Sequence, residues 1–374
     1  MQIAPAHLRL ARHAGVRRLL QEAGLDALLV TSLSNVAYLS GLFASAAAIV
    51  ITRDRFAIIT DGRYLGIAKG VIEDLSGVEL VITPASIPFD HALAEALCSI
   101  GHGRAGFEAM HFTVKRFREL ETRLAKLAPT VSLESTEGVV EQLRMLKDEW
   151  ELGVFSEAGR RLSDAAKCII PKALAGMKER DVAAIIEAEL RRVGFDKPAF
   201  DTIVASGPNS AVPHYRAGDR VLTAGDLVVL DFGGMLRGYA VDMTRTIAVG
   251  VASGRQRRLL GDIAAAQDAG FAAVRQGNPA TDIDRAARES MNAAGLGEFF
   301  GHGTGHGLGL EVHERPRIAQ FRAELPGEPL QPGMVFTIEP GAYFPDWGGA
   351  RIEDDAALTA SGAQWLTDVP RFWT

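Results

Sequence analysis

Two domains of different class are predicted: an α/β domain over 1–136 and an α+β domain over 137–374 with an internal pseudo-two-fold duplication. Three observations carry this. Helix and strand patterns alternate through the first 135 residues, a helix–helix–hairpin order occurs twice after residue 148, and two acid-bearing segments share one glycine spacing. Length agrees, because 374 residues exceed what one ordinary core fills.

In chain order, a helix is expected over 6–23, stopped by Gly24 as a C-cap. Strands follow at 26–30 (DALLV), 46–52 (AAAIVIT), 56–60 (FAIIT) and 78–83 (VELVIT), with helices over 88–98 and 114–127. Residues 136–148 (TEGVVEQLRMLKD) form the crossing, with the boundary near 137. Helices over 149–175 and 179–194 lead to a first hairpin, and helices over 254–275 and 282–294 lead to a second. Ser253 and Thr281 are the expected N-caps of the later pair, with Asp284 in a box-like position after Thr281.

The hairpins read as copies. Gly225 precedes Asp231 by six positions, as Gly333 precedes Glu339; Gly233 and Gly341 each follow their acid by two. Gly238 precedes Asp242 by four, as Gly349 precedes Glu353. Glycines occur at bulges and turns in any sheet, yet spacing kept in both copies favours a site where the hairpins meet. Four acids converging there repel one another unless cations lie between them.

Histidines add to the pattern. After residue 150 the chain has only His214, His302, His306 and His313, and the last three fall within twelve residues among Gly301, Gly303, Gly305, Gly307 and Gly309. Glycines around clustered histidines let backbone approach a ligand or metal. The stretch has no GK[ST] ending and does not join an apolar strand to a helix, which disfavours a phosphate cradle. HERP is not HExxH, no GxSxG elbow exists, and neither Cys98 nor Cys168 has a neighbouring histidine.

Asp231, Asp242, His306, Glu339 and Glu353 make an oxygen-rich set, suited to two divalent ions of the Mn(II) type rather than structural zinc. Paired ions about 3.5–4 Å apart share a bridging water and deliver it as hydroxide near neutral pH. Amide hydrolysis is the natural reaction. Net charge of −6 argues against nucleic acid or anionic membrane as partner, and two cysteines give no disulfide framework, so a cytoplasmic setting is expected. Composition is that of a soluble protein, with 47% hydrophobic and 23% charged residues, and no eighteen-residue apolar run occurs. His7, Arg9, Arg12, His13, Arg17 and Arg18 rule out an apolar leader at the N-terminus.

LDFG with DMTRT, HGTGHGLGLEVHE, TIEPG and RIEDD resemble the motifs of the pita-bread metallopeptidases: methionyl aminopeptidases, Xaa-Pro aminopeptidases, prolidases and creatinases. NVAYLSG (35–41) and TDGRY (60–64) resemble the N-terminal domain of the creatinase and Xaa-Pro branch, which methionyl aminopeptidases generally lack. The resemblance implies a pita-bread fold for 137–374, with Asp231 binding one ion through both oxygens and Asp242 bridging the pair. His306 and Glu339 would hold the other ion and Glu353 would bridge, while Glu339 also moves the proton from water to the leaving nitrogen. His214 and His313 match substrate-contacting histidines that stabilise the tetrahedral intermediate, and His302 matches a further active-site histidine.

It also implies a homodimer or homotetramer and a peptide substrate with proline second, while the ligand chemistry favours Mn(II), with Co(II), Zn(II) or Fe(II) as alternatives. The reading leans to an Xaa-Pro aminopeptidase over a dipeptidase (prolidase). A creatinase-like amidinohydrolase or a non-catalytic binding module is less favoured, because all five ligands stand. Arg351 is expected to support the ligands from behind, with contact to a substrate carboxylate as the alternative, and Arg245 to serve the hairpin; Arg216 and Arg315 are further candidate readers of such a carboxylate or else plain surface charges.

Overall fold

Gly24 takes φ 65°, a left-handed value, and stops α1 (Ala6–Ala23) where the sequence places the stop. The computed structural model describes residues 2–372. The chain divides into two compact units between Arg144 and Met145.

In the first unit, α1 is followed by β1 (Ala27–Val30), α2 (Leu33–Ser40), β2 (Ala47–Thr52), β3 (Phe56–Asp61), α3 (Leu65–Ile72) and β4 (Val78–Thr83). Then come α4 (Phe89–Cys98), β5 (Gly103–Glu108), α5 (Val114–Leu127), β6 (Val131–Thr136) and α6 (Val139–Arg144). The strands form one sheet in the order β4-β3-β2-β1-β5-β6, antiparallel where β2 pairs with β1 and β3, parallel elsewhere. Leu93, Leu97, Leu120 and Leu124 of α4 and α5 pack on one face over Leu29, Val50 and Phe107.

Arg9, Arg12 and His13 of α1 are buried, contrary to the usual habit of such groups. Their donors go to the C-terminal carbonyls of α2: Arg12 to Tyr38 O at 2.7 Å, His13 Nε2 to Leu39 O at 2.7 Å, Arg9 to Ser40 O at 3.0 Å. The sequence reading places the domain boundary near 137. Here α6 stays with the first unit because Asn35 joins it twice, accepting from Arg144 Nη1 and donating to Glu141 Oε1, both at 2.7 Å.

The second unit starts with α7 (Glu149–Ile169), opened by an Asp148–Glu151 capping box, and α8 (Glu179–Arg192). The helix expected to 175 ends at 169, and Pro171 leaves only a short 3-10 turn beyond it. Next are β7 (Lys197–Pro198), β8 (Ile203–Ser206), β9 (Leu227–Leu236), β10 (Tyr239–Ala248), α9 (Gly254–Ala272) and α10 (Thr281–Ala293). The rest is strand: β11 (Gly305–Gly307), β12 (Glu314–Ile318), β13 (Val335–Ile338), β14 (Gly341–Phe344), β15 (Gly348–Arg351), β16 (Asp354–Thr359) and β17 (Gly362–Trp365). One sheet places β9 between β10 and both β7 and β8; a second runs β12-β11-β13-β16-β17; β14 and β15 pair alone.

Ser253 caps α9 as expected, in a box with Gln256. Thr281 does not cap α10: it is the first helical residue, and Asp284 turns away from the cap to bind Thr304 and Arg288. The first hairpin is continuous, with a two-residue turn at Arg237 (φ 52°) and Gly238 (φ 86°). The second is not one hairpin. Its outer part pairs β13 with β16 and its inner part β14 with β15, broken at Glu339–Pro340 and Ile352–Glu353. Pro340 has no N–H for a ladder, while Glu339 N–H donates to Thr304 O at 2.7 Å and Glu353 N–H to Thr244 O at 3.1 Å. Among the described residues no helix is long and apolar enough to cross a membrane.

Candidate metal centre

Asp231 and Gly233 are two apart on β9 and so share a face; Asp242, directly opposite Gly233 in the ladder, shares it too. The turn therefore aims both acids of the first hairpin the same way. From the second hairpin, Glu339 and Glu353 enter at the two breaks. All four line one cavity of about 610 Å³ together with His306, His214, His302 and His313.

One ligand atom each from Asp242, His306 and Glu353 lie within 4.8 Å of one another. His306 Nε2 is 3.9 Å from Asp242 Oδ2 and 3.7 Å from Glu339 Oε1. Its Nδ1 lies 3.1 Å from Gly307 O, so Nδ1 carries the proton and Nε2 offers its lone pair toward the acids. Burial holds the imidazole down at about 4, with His313 as the next cause.

Burial pushes the Asp242 carboxyl well above the usual range, helped by Asp231, Asp355 and Glu339. Glu353 is raised in the same way, by burial and then by Asp242 and Glu339. Glu339 is pushed up to about 7 by burial, with Arg351 opposing. Asp231 Oδ1 and Asp242 Oδ1 are buried and have no hydrogen-bond partner. Buried carboxylate oxygens without donors, in a cavity where an imidazole nitrogen stands 3.9 Å from the other Asp242 oxygen, are what a divalent cation satisfies. The donor set fits.

Behind the acids stands Arg351, buried, donating to Asp231 Oδ2 at 2.6 Å, Tyr343 Oη at 2.7 Å and Thr244 Oγ1 at 3.1 Å. Tyr343 Oη accepts from Arg351 and so donates to His302 Nε2 at 2.9 Å, while His302 Nδ1 donates to Gly303 O at 2.7 Å. Burial takes Tyr343 up to about 12 and His302 down to about 4. Arg245 is fully enclosed and serves the hairpin junction, donating to Asp354 Oδ1 and Glu353 O, both at 2.6 Å. His214 and His313 are exposed on the cavity wall, His313 with its ring 4.2 Å from that of His306.

Neither Arg315 nor Arg216 is well placed for a substrate carboxylate. Arg315 pairs with Glu328 at 2.6 Å and is not part of the cavity wall, and Arg216 reaches it fully exposed beside Asp201 at 3.7 Å. Arg317 was not singled out in the sequence, yet it lines the cavity and stands directly across the ladder from His306. Only the β11–β12 pairing reveals it. Tyr343 was missed for the same reason.

Residues 154–360 match metallopeptidase family M24, and residues 12–146 match the creatinase/prolidase N-terminal domain. Uncharacterized peptidase YqhT of Bacillus subtilis (strain 168) is 38% identical over 358 residues, covering 95% of this chain and 97% of that one. The solved Xaa-Pro dipeptidase from Bacillus anthracis is 32% identical with a TM-score of 0.89, covering 98% and 100%. The X-Pro aminopeptidase from Thermotoga maritima MSB8 is 32% identical with a TM-score of 0.85, covering 96% and 98%. Family match, pita-bread architecture and buried carboxylate–histidine set agree: the chain belongs to metallopeptidase family M24 and is a metal-dependent hydrolase.

Proposed function

We propose that the protein is an Xaa-Pro dipeptidase working with two divalent ions, Mn(II) foremost, in the cytoplasm as a homodimer or homotetramer. The observation that carries the choice of dipeptidase is Arg317, a guanidinium on the cavity wall opposite His306. A dipeptide ends in a carboxylate immediately after proline, and an arginine binds a carboxylate through two parallel N–H donors. A longer peptide has a neutral amide there. The likeness to the Bacillus anthracis dipeptidase supports this reading, while the Thermotoga maritima likeness supports the aminopeptidase toward which the sequence leans.

Asp231, Asp242, His306, Glu339 and Glu353 would hold the ions. When bound, the ions supply charge neutralisation, an activated water and polarisation of the scissile carbonyl. Glu339 takes the proton from the attacking water and delivers it to the prolyl nitrogen, which has no N–H of its own and must be protonated to leave. His214 and His313 donate to the tetrahedral oxyanion, and Arg317 fixes the proline carboxylate. Arg351 holds Asp231 in place from behind.

The test is release of alanine from Ala-Pro and from Ala-Pro-Ala by Mn(II)-reconstituted protein, wild type and Arg317→Ala. Cleavage of Ala-Pro alone is expected, with Arg317→Ala losing about 10–100-fold in kcat/KM, the worth of a charged hydrogen-bonded pair. Better cleavage of the tripeptide, untouched by Arg317→Ala, gives the aminopeptidase instead.

A further inference from the structure

Asp284 and Arg288 lie one turn apart on α10, outside the ligand set. A helical pair at this spacing ordinarily stabilises its own helix and nothing more. These two do something else with most of their hydrogen bonds. Asp284, 1% exposed, accepts on Oδ1 from Thr304 N–H at 3.0 Å and from Thr304 Oγ1 at 2.9 Å. Arg288 donates to both Asp284 oxygens, at 3.0 and 3.1 Å, then reaches past them to Phe300 O at 3.0 Å and His302 O at 2.8 Å. Its guanidinium also sits 4.3 Å from the Phe300 ring centre.

The segment so held, 300–304, contains Gly301 and Gly303 and precedes the first residue of β11, so no ladder restrains it. Two consequences follow for the site. His302, which lines the cavity, projects from a backbone pinned at its own carbonyl and again at Thr304. Thr304 O in turn receives the Glu339 N–H at 2.7 Å, so the same clamp sets the backbone from which Glu339 enters.

We propose that Asp284 and Arg288 are positioning residues for the peptidase reaction: they fix Phe300–Thr304 and thereby the placement of His302 and Glu339. This rests on the metallopeptidase reading of the cavity. Neither residue touches the reacting atoms.

The experiment uses the full chain and three variants, Arg288→Ala, Arg288→Lys and Asp284→Asn. Three quantities are read: kcat and KM on Ala-Pro, Mn(II) affinity from the free-Mn(II) electron paramagnetic resonance signal, and melting temperature. Arg288→Ala is expected to lower kcat about 10–100-fold and Mn(II) affinity about tenfold, with KM nearly constant. Arg288→Lys recovers part of the loss, and Asp284→Asn, which keeps an oxygen for Thr304, loses least. The proposal is overturned when Arg288→Ala keeps kcat and Mn(II) affinity within about twofold of wild type, however far its melting temperature falls. Should that variant not fold, Arg288→Lys, which keeps the charge but not the forked contacts, is judged by the same criterion. If the wild type cleaves no Xaa-Pro peptide, the substrate reading fails, and Mn(II) affinity alone still decides the positioning role.

Discussion

The two acid-bearing hairpins share a glycine frame and differ in how they hold their acids. In the first, Asp231 and Asp242 sit inside ten-residue strands whose ladder is unbroken. In the second, Glu339 and Glu353 occupy gaps in the ladder, and their N–H groups are taken by Thr304 and Thr244. Pro340 enforces the gap. The difference teaches that glycine spacing conserves where an acid is presented, while the hydrogen bonds that present it are exchanged. What ties the copies together is a reciprocal brace: Arg245 of the first reaches Asp354 and Glu353 O of the second, and Arg351 of the second reaches Asp231 of the first.

The brace can be broken from either side. Arg245→Ala leaves Asp354 short of its partner in the interior and is expected to destabilise the protein by about 3–5 kcal/mol, read by denaturant unfolding. Unchanged stability would mean the brace is idle. Arg351→Lys keeps a charge but loses the forked contact to Tyr343 and Asp231, and Mn(II) affinity is expected to fall about 10–100-fold by titration. The hairpins themselves are compared by Gly233→Ala and Gly341→Ala. A Cβ at Gly233 runs into the Val241 carbonyl, which the ladder fixes, whereas at Gly341 it meets Tyr343 Oη at 2.7 Å and Ala350 O at 3.0 Å. Calorimetry should find the first costlier, about 2–3 kcal/mol against about 1. Equal losses would erase the contrast between rigid and broken ladders. Smallest is Pro340→Ala, expected to lower stability by about 0.5–1 kcal/mol through the unfolded chain, since its nitrogen has no ladder partner to regain.

Periodic or repeated features were legible in the sequence. The helix over 6–23, the strands near 27–30, 47–52, 56–61 and 78–83, and the Ser253 cap all stand where pattern and capping chemistry put them. Less regular elements were not. β5 begins Gly-Arg, β6 alternates polar residues, and α2 is buried with Asn35 and Ser40 inside, so none shows a clean apolar period. Glu339 and Glu353 were visible through spacing, but the broken ladder that seats them was not, because it depends on partners more than a hundred residues away in sequence for Glu353. Arg317 and Tyr343 depend on strand pairing in the same way. Thr281 misled because a threonine before a helix resembles a cap until Asp284 finds stronger partners.

The crossed arginines make the duplication irreversible. A half-length chain carrying either hairpin alone would enclose an arginine or an acid whose partner lies in the missing half. The repeat is thus no longer two modules but one, and its copies are free to drift apart in backbone pairing while their charges must change together.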